Sequence, residues 1–224
     1  MNQEIIPCVA GSTGLVGSFL LKNLTKSYSK VVSITRRKFN HNSSNIKNVV
    51  IDFDNIENEN IFNNNNHLYI ALGTTRKKAG SDKNFIKVDY DYCINLAKKA
   101  VESGVKRVSI VSSVGSNPKS TLLYPKTKGL MEQELSKLPF EHISIMKPGL
   151  ILGDRLENRL VEKFAKILFS LINPFLFGGL KKYKSIHADV ISKAMINQII
   201  TGDSGFFSFE YAELVESLQK NSIF

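Results

Sequence analysis

The chain has 224 residues, enough for one α/β domain with a buried core and too few for two full domains, so residues 1–224 are read as a single unit. Its 42% hydrophobic and 22% charged residues are ordinary for a globular protein, and Met1 to Pro7 has neither the basic start nor the apolar run of a signal peptide. The formal charge of +10 is scattered in small clusters, without zinc-finger spacing, an RNP-type motif or a basic tail, so neither nucleic-acid binding nor a metal site is expected.

Ile5 to Ala10 predicts a short buried strand, in which Cys8 reads, like Cys93 further on, as a reduced thiol in a cytoplasmic setting. The turn Gly11-Ser12-Thr13-Gly14-Leu15-Val16-Gly17 follows, and Leu15, Val16, Phe19, Leu20 and Leu24 share one face of a helix. Such a turn lets backbone approach a phosphate, while the helix N-terminus offers free N–H groups and a positive dipole end. The spacing G-x-x-G-x-x-G is not the usual G-x-G-x-x-G fingerprint. It is not a triphosphate loop either, because no Lys-Ser/Thr follows the glycines.

Lys30 to Thr35 predicts a second strand ending in Arg36-Arg37. In a dinucleotide fold, an acid about twenty residues past the glycines holds the ribose 2′-hydroxyl, whereas an arginine there accommodates a 2′-phosphate. Arg37 falls at that distance from Gly17, and no acid is near it in sequence, so NADP(H) is expected over NAD. Val49 to Phe53 predicts a third strand, with Asp52 in reach of an adenine amine. Glu57 to Asn66 reads as a surface helix fragment and loop. Leu68 to Gly73 predicts a fourth strand that brings Leu72 and Gly73 beside the pyrophosphate and the nearer ribose. The polar, basic loop Thr74 to Ser81 lies on the same edge, either contacting cofactor or substrate or simply solvated.

Phe85, Val88, Tyr92, Cys93, Leu96, Ala97, Ala100 and Val101 mark a long amphipathic helix stopped by Gly104, and Arg107 to Val111 predicts a fifth strand running into Ser112-Ser113. Strands alternating with helices imply a Rossmann-type, doubly wound parallel sheet, whose ligands bind outside the carboxyl ends of the strands. Gly11, Arg36, Gly73 and Ser113 all fall there.

Tyr124-Pro125-Lys126-Thr127-Lys128 then supplies chemistry. Residues four apart share a helix face, and an ammonium held near a phenol favours the phenolate. Tyr124 is expected at the N-cap with Pro125 at the first helical position, because the residue before a proline avoids helical geometry. Tyr124 would carry the proton, Lys128 would lower the phenol's pKa and bind ribose hydroxyls, and Ser113 would hold the substrate oxygen, with Ser112 as its rival.

The motifs Gly11-x-x-Gly14-x-x-Gly17 and Tyr124-x-x-x-Lys128 resemble the short-chain dehydrogenase/reductase superfamily in its atypical branch. More narrowly, the chain is similar to the Tat-interacting-protein oxidoreductase family. The residues carrying that likeness are Arg36-Arg37, Leu72 to Gly80, Lys87 to Tyr92, Ser112 to Gly115, Leu123-Tyr124 with Lys128-Gly129, and Pro148-Gly149 with Asp154-Arg155. The resemblance implies a Rossmann-type NADPH-binding oxidoreductase and cofactor contacts at Ser12, Thr13, Gly14, Val16, Arg36, Arg37, Leu72, Gly73, Tyr124, Lys128 and Arg155. Within the turn and loop that flank these, Leu15, Gly17 and Thr74 join the cofactor set. Two departures stand out. Lys147-Pro148-Gly149 replaces the branch's Arg-Pro-Gly, and the gap from Ser113 to Tyr124 is shorter than in the conventional triad.

His142 to Met146 predicts a sixth strand that closes a cofactor core over 1–147, leaving 148–224 as a small, substrate-side C-terminal subregion. The apolar run within Phe164 to Phe177 is too short for a bilayer. It reads as a cover for the substrate cleft or a subunit contact ahead of an interfacial membrane helix. His187 reads as structural, Phe206 to Phe209 as a last strand, and Leu214, Val215 and Leu218 as a terminal helix. The expected function is an NADPH-dependent reductase or dehydrogenase of an unidentified carbonyl or alcohol. A cofactor-sensing regulator and a sugar-nucleotide epimerase are the alternatives, and the oligomeric state is open.

Overall fold

The computed structural model describes residues 4–41, 43–63, 65–153 and 178–220. The chain runs β1 (Ile6–Ala10), α1 (Leu15–Leu24), β2 (Val31–Thr35), β3 (Ile46–Val50), β4 (Asn66–Ile70), α2 (Arg76–Ala79) and α3 (Asp82–Ile86). A π-helical turn, Lys87–Asp91, joins α3 to α4 (Tyr92–Glu102), followed by β5 (Arg107–Val111), α5 (Leu123–Leu135), β6 (His142–Met146) and β7 (Ile151–Leu152). After the undescribed stretch come β8 (Ile186–His187), α6 (Ala188–Thr201), β9 (Gly205–Phe209) and α7 (Tyr211–Lys220).

Seven strands form one parallel sheet in the order β3-β2-β1-β4-β5-β6-β9, a Rossmann-like α/β arrangement. The strands are apolar because both sheet faces are covered. Alternate side chains serve opposite faces. Leu68, Ile70, Val108, Ile110, Ile143 and Ile145 pack with Leu96, Met131 and Leu135 of α4 and α5. On the other face Val9, Val31, Tyr69 and Met146 pack with Leu20, Leu24, Ile191, Met195 and Leu214. The strand expected at Phe206 to Phe209 extends to Gly205 and is the seventh, paired to β6.

Three local expectations are corrected. The third strand forms at Ile46–Val50, in register with Val31 to Thr35, because Ile51 and Phe53 leave the sheet and turn into the core. The fourth pairs over Asn66–Ile70, so Gly73 lies beyond the sheet edge. The segment read as a surface helix fragment and loop carries a 3₁₀ turn, Ile56–Asn58, followed among the described residues by irregular chain up to β4. Finally, α5 begins at Leu123 with Leu122 extended as its N-cap, which puts Tyr124 and Pro125 inside the first turn. Proline fits there because a first-turn N–H has no helical partner to lose.

Cys8 and Cys93 are both buried and free, and burial pushes each thiol up to about 12, which leaves them unreactive. Among the described residues, no helix is long and apolar enough to cross a membrane. Arg155 and the Phe164 to Phe177 run lie outside the described residues.

Candidate functional site

The glycine turn sits at the carboxyl edge of β1. Gly11 has φ +79°, and a Cβ on it would lie 2.4 Å from the Ala71 carbonyl oxygen; a Cβ on Gly17 would lie 2.1 Å from that of Gly11. Both glycines are therefore demanded by backbone contact alone. Gly14 is different. It is exposed, it caps α1 in extended conformation, and its N–H donates to the Gly11 carbonyl at 2.9 Å. No side chain caps α1 and no acid occupies its first turn. Its leading N–H groups, flanked by exposed Thr13 and half-buried Leu15, thus remain available to an anion, as a pyrophosphate requires. Val16 points into the core. The Ser12 hydroxyl is buried and bonded to Ser33 Oγ at 2.7 Å, so its side chain belongs to the scaffold.

Arg36 and Arg37 are exposed just past β2, and among the described residues neither forms an ion pair. The fold does bring one unforeseen acid near them. Hydrogen bonds from Lys87 and Tyr92 hold the Asp54 carboxyl below the usual range, and the Arg36 charge adds to this. Asp52 is exposed just past β3, at the carboxyl edge of the sheet. Its two carboxylate oxygens accept from the Asp54 N–H and the Asn55 amide, closing their own turn.

Beyond β4, half-buried Leu72 leads to exposed Gly73, which lies over a buried ion pair. Lys128 Nζ is 2.8 Å from Asp89 Oδ1, with side chains 5% and 1% exposed, and the Thr74 N–H donates to the other Asp89 oxygen at 2.8 Å. A Cβ on Gly73 would sit 3.4 Å from Asp89 Oδ1 and 4.0 Å from Lys128 Nζ. Burial works against the Lys128 ammonium. The Asp89 charge, helped by Cys93 and Tyr124, outweighs it and leaves the group above the ordinary lysine pKa. The sequence placed this ammonium against Tyr124, but its direct partner is Asp89, carried on the π turn. Tyr124 lies one helical turn earlier, 44% exposed, its ring centroid 5.9 Å from that of Phe85. Tyr124 and Lys128 share a face of α5.

The serines after β5 are told apart by Glu132. Ser112 donates to Glu132 Oε1, as does Ser116 at 2.6 Å, while Lys147 Nζ lies 3.1 Å from Oε2. Ser112 is thereby fixed in a buried network. Ser113, half-buried just past the carboxyl end of β5, donates among the described residues only to the neighbouring Val114 carbonyl at 3.2 Å. Lys147 serves this network, which needs a cation but not a planar fork. His187 is structural: its Nδ1 accepts from the Asp189 N–H at the start of α6, and its ring meets Phe19 edge-on.

Asp89 and Glu132 were missed by site reasoning on the sequence. A signal for Asp89 existed, since it falls on the apolar stripe running through Phe85, Val88, Tyr92 and Leu96. Glu132 offered none.

Comparison with known proteins agrees with this geometry. The NAD dependent epimerase/dehydratase family matches residues 8–206. Protein HTATIP2 of Rattus norvegicus is 31% identical over 220 residues, covering 96% of this chain and 89% of the relative. Protein FMP52, mitochondrial, of Candida albicans is 40% identical over 158 residues, covering 67% and 69%. Among solved structures, MoeE5 in complex with UDP-glucose and NAD superposes with TM-score 0.68 at 14% identity, covering 95% of this chain and 81% of that one. The oxidoreductase YlbE from Lactococcus lactis gives 0.65 at 18%, covering 97% and 98%. The cytoplasmic setting expected from the sequence is overturned by the relatives' names, since those of Candida albicans and Saccharomyces cerevisiae are called mitochondrial. Two free, buried thiols do not distinguish one reducing compartment from another.

Proposed function

The chain belongs to the NAD dependent epimerase/dehydratase family, in its HTATIP2- and FMP52-like part, and from that premise we propose an NADPH-dependent oxidoreductase of a carbonyl or alcohol. The observation that carries this reading is Tyr124, exposed one turn ahead of a lysine whose ammonium is locked in place beneath Gly73. A protein that only sensed the nucleotide would have no use for a phenol placed to transfer a proton.

The residues present suit the cofactor. The uncapped start of α1 would receive the diphosphate, and Arg36 with Arg37, free of ion pairs among the described residues, would receive a ribose 2′-phosphate. Lys128 and Gly73 would flank the nicotinamide ribose. When bound, the cofactor supplies or accepts the hydride at the substrate carbon. Tyr124 gives or takes the proton at its phenolic oxygen, Lys128 sits one helical turn away on the same face of α5, and Ser113 holds the substrate oxygen. Asp89 keeps that lysine charged despite its burial. The names of the yeast relatives support a mitochondrial location.

The test combines nucleotide titration with turnover. The fluorescence of the reduced nicotinamide should show tighter binding of NADPH than of NADH. Against a panel of carbonyl compounds, Tyr124→Phe should bind NADPH as the wild type does and lose at least about 100-fold in NADPH oxidation. NADPH binding with no Tyr124-dependent turnover would turn the reading to the cofactor sensor, and a preference for NADH would turn it to the epimerase.

A further inference from the structure

The loop after β2 carries the two arginines, and its shape is imposed by side chains that the proposed chemistry does not use. The Thr35 hydroxyl donates to the Arg37 carbonyl at 2.8 Å. The Asn48 amide of β3 donates to Thr35 Oγ1 at 2.8 Å and to the Ser33 carbonyl at 3.0 Å, and its oxygen accepts from the Phe39 N–H at 3.0 Å. At the far end of the loop the His41 ring packs on Phe39, with centroids 4.8 Å apart, and reaches back so that Nε2 lies 2.9 Å from Ser33 Oγ. Ser33 Oγ is in turn 2.7 Å from Ser12 Oγ in the glycine turn. Three hydrogen-bonding groups thus form one chain across β2, from the arginine loop to the turn that opens α1. Ser33 and Ser12 are buried, and His41 is half-buried.

We infer that His41 is a specificity-determining residue of the nucleotide site, a positioning residue that ties the Arg36-Arg37 loop to the glycine turn through Ser33 and Ser12. A 2′-phosphate would lie between those two walls, gripped by arginines whose hydrogen bonds depend on direction as well as charge. A link holding the walls at fixed separation reduces the ordering cost of binding. NADH, which lacks that phosphate, has nothing to gain from the arginines. The inference rests on the NADP reading and goes beyond it in assigning His41, Ser33 and Ser12 a role in discrimination.

The experiment is fluorescence titration of wild type, His41→Ala, Ser33→Ala and His41→Gln with NADPH and, separately, NADH, alongside thermal unfolding of each protein without nucleotide. His41→Ala and Ser33→Ala should each weaken NADPH about ten-fold and leave NADH within about two-fold. His41→Gln, whose amide can reach the same hydroxyl, should recover part of the loss. Equal weakening of both nucleotides means a purely structural role and overturns the inference, as does unchanged NADPH affinity in both alanine variants. A wild type that fails to prefer NADPH overturns the NADP reading itself, and this inference with it.

Discussion

An aspartate with 1% of its surface exposed needs a compensating charge, and Asp89 has one in Lys128. The pair is isolated from water, so its attraction is little screened, and removing one member strands the other. Asp89→Asn is expected to lower stability by about 3 kcal/mol, read as a fall in the urea midpoint at neutral pH. The same change should deprive Lys128 of the charge that holds it protonated, so turnover should fall more than NADPH affinity does. A variant as stable as the wild type would show that the pair is not what fixes Lys128. The π turn gives this pairing its physical basis. One extra residue in the helix rotates Asp89 to meet Thr74 and Lys128 together.

At the scale of the element, the β1–α1 unit shows why a glycine pattern has two meanings. Gly11 and Gly17 exist for contact between backbones, whereas Gly14 faces outward over the start of the helix. Gly17→Ala would press a methyl group into the Gly11 carbonyl, which cannot move without disturbing β1. The expected cost is about 2 kcal/mol, seen as a melting temperature lower by about 4–8 °C. In Gly14→Ala the new Cβ lies 3.1 Å from the same Gly11 carbonyl oxygen, tight but far milder than 2.1 Å, so that variant should lose clearly less in melting temperature than Gly17→Ala and should also weaken nucleotide binding. If the two variants melt alike, the division of roles is wrong. In α5 the sequence rule for residues preceding proline placed Tyr124 outside the helix. Extended Leu122 took the cap, and Tyr124 gained the helical register with Lys128 that the chemistry asks for.

Across the whole molecule the two edges of the sheet differ in character. The carboxyl edge gathers the candidate site. Toward the amino edge, on the α6 side, His67, Arg107 and His142 form one row across β4, β5 and β6, with Tyr69, Ser109 and Ser144 in the next. Each carries a buried polar atom with no hydrogen-bond partner among the described residues. Burial, with the Arg107 and His142 charges, lowers the His67 ring to about 4, and burial lowers His142 as well. Below pH 6.5 the unfolded imidazoles take up protons that the folded ones refuse, so stability should decline as pH falls from about 6.5 to about 4. Urea midpoints across that window should fall less steeply in His67→Gln, and parallel slopes would refute the assignment. Much of this architecture was legible beforehand: periodicity located the strands and helices, and Gly11, Arg36, Gly73, Ser113, Tyr124 and Lys128 come out along one edge. The sequence by itself determined the alternation of apolar strands and amphipathic helices, and with it a parallel sheet, because those patterns are short-range consequences of side-chain spacing. Only the tertiary structure decided that Asp89 holds Lys128, that Glu132 claims Ser112 and leaves Ser113, and that Asp52 closes its own turn. Buried hydrogen bonds and ion pairs join residues that chain spacing does not relate, and their partners exist only once the elements have packed.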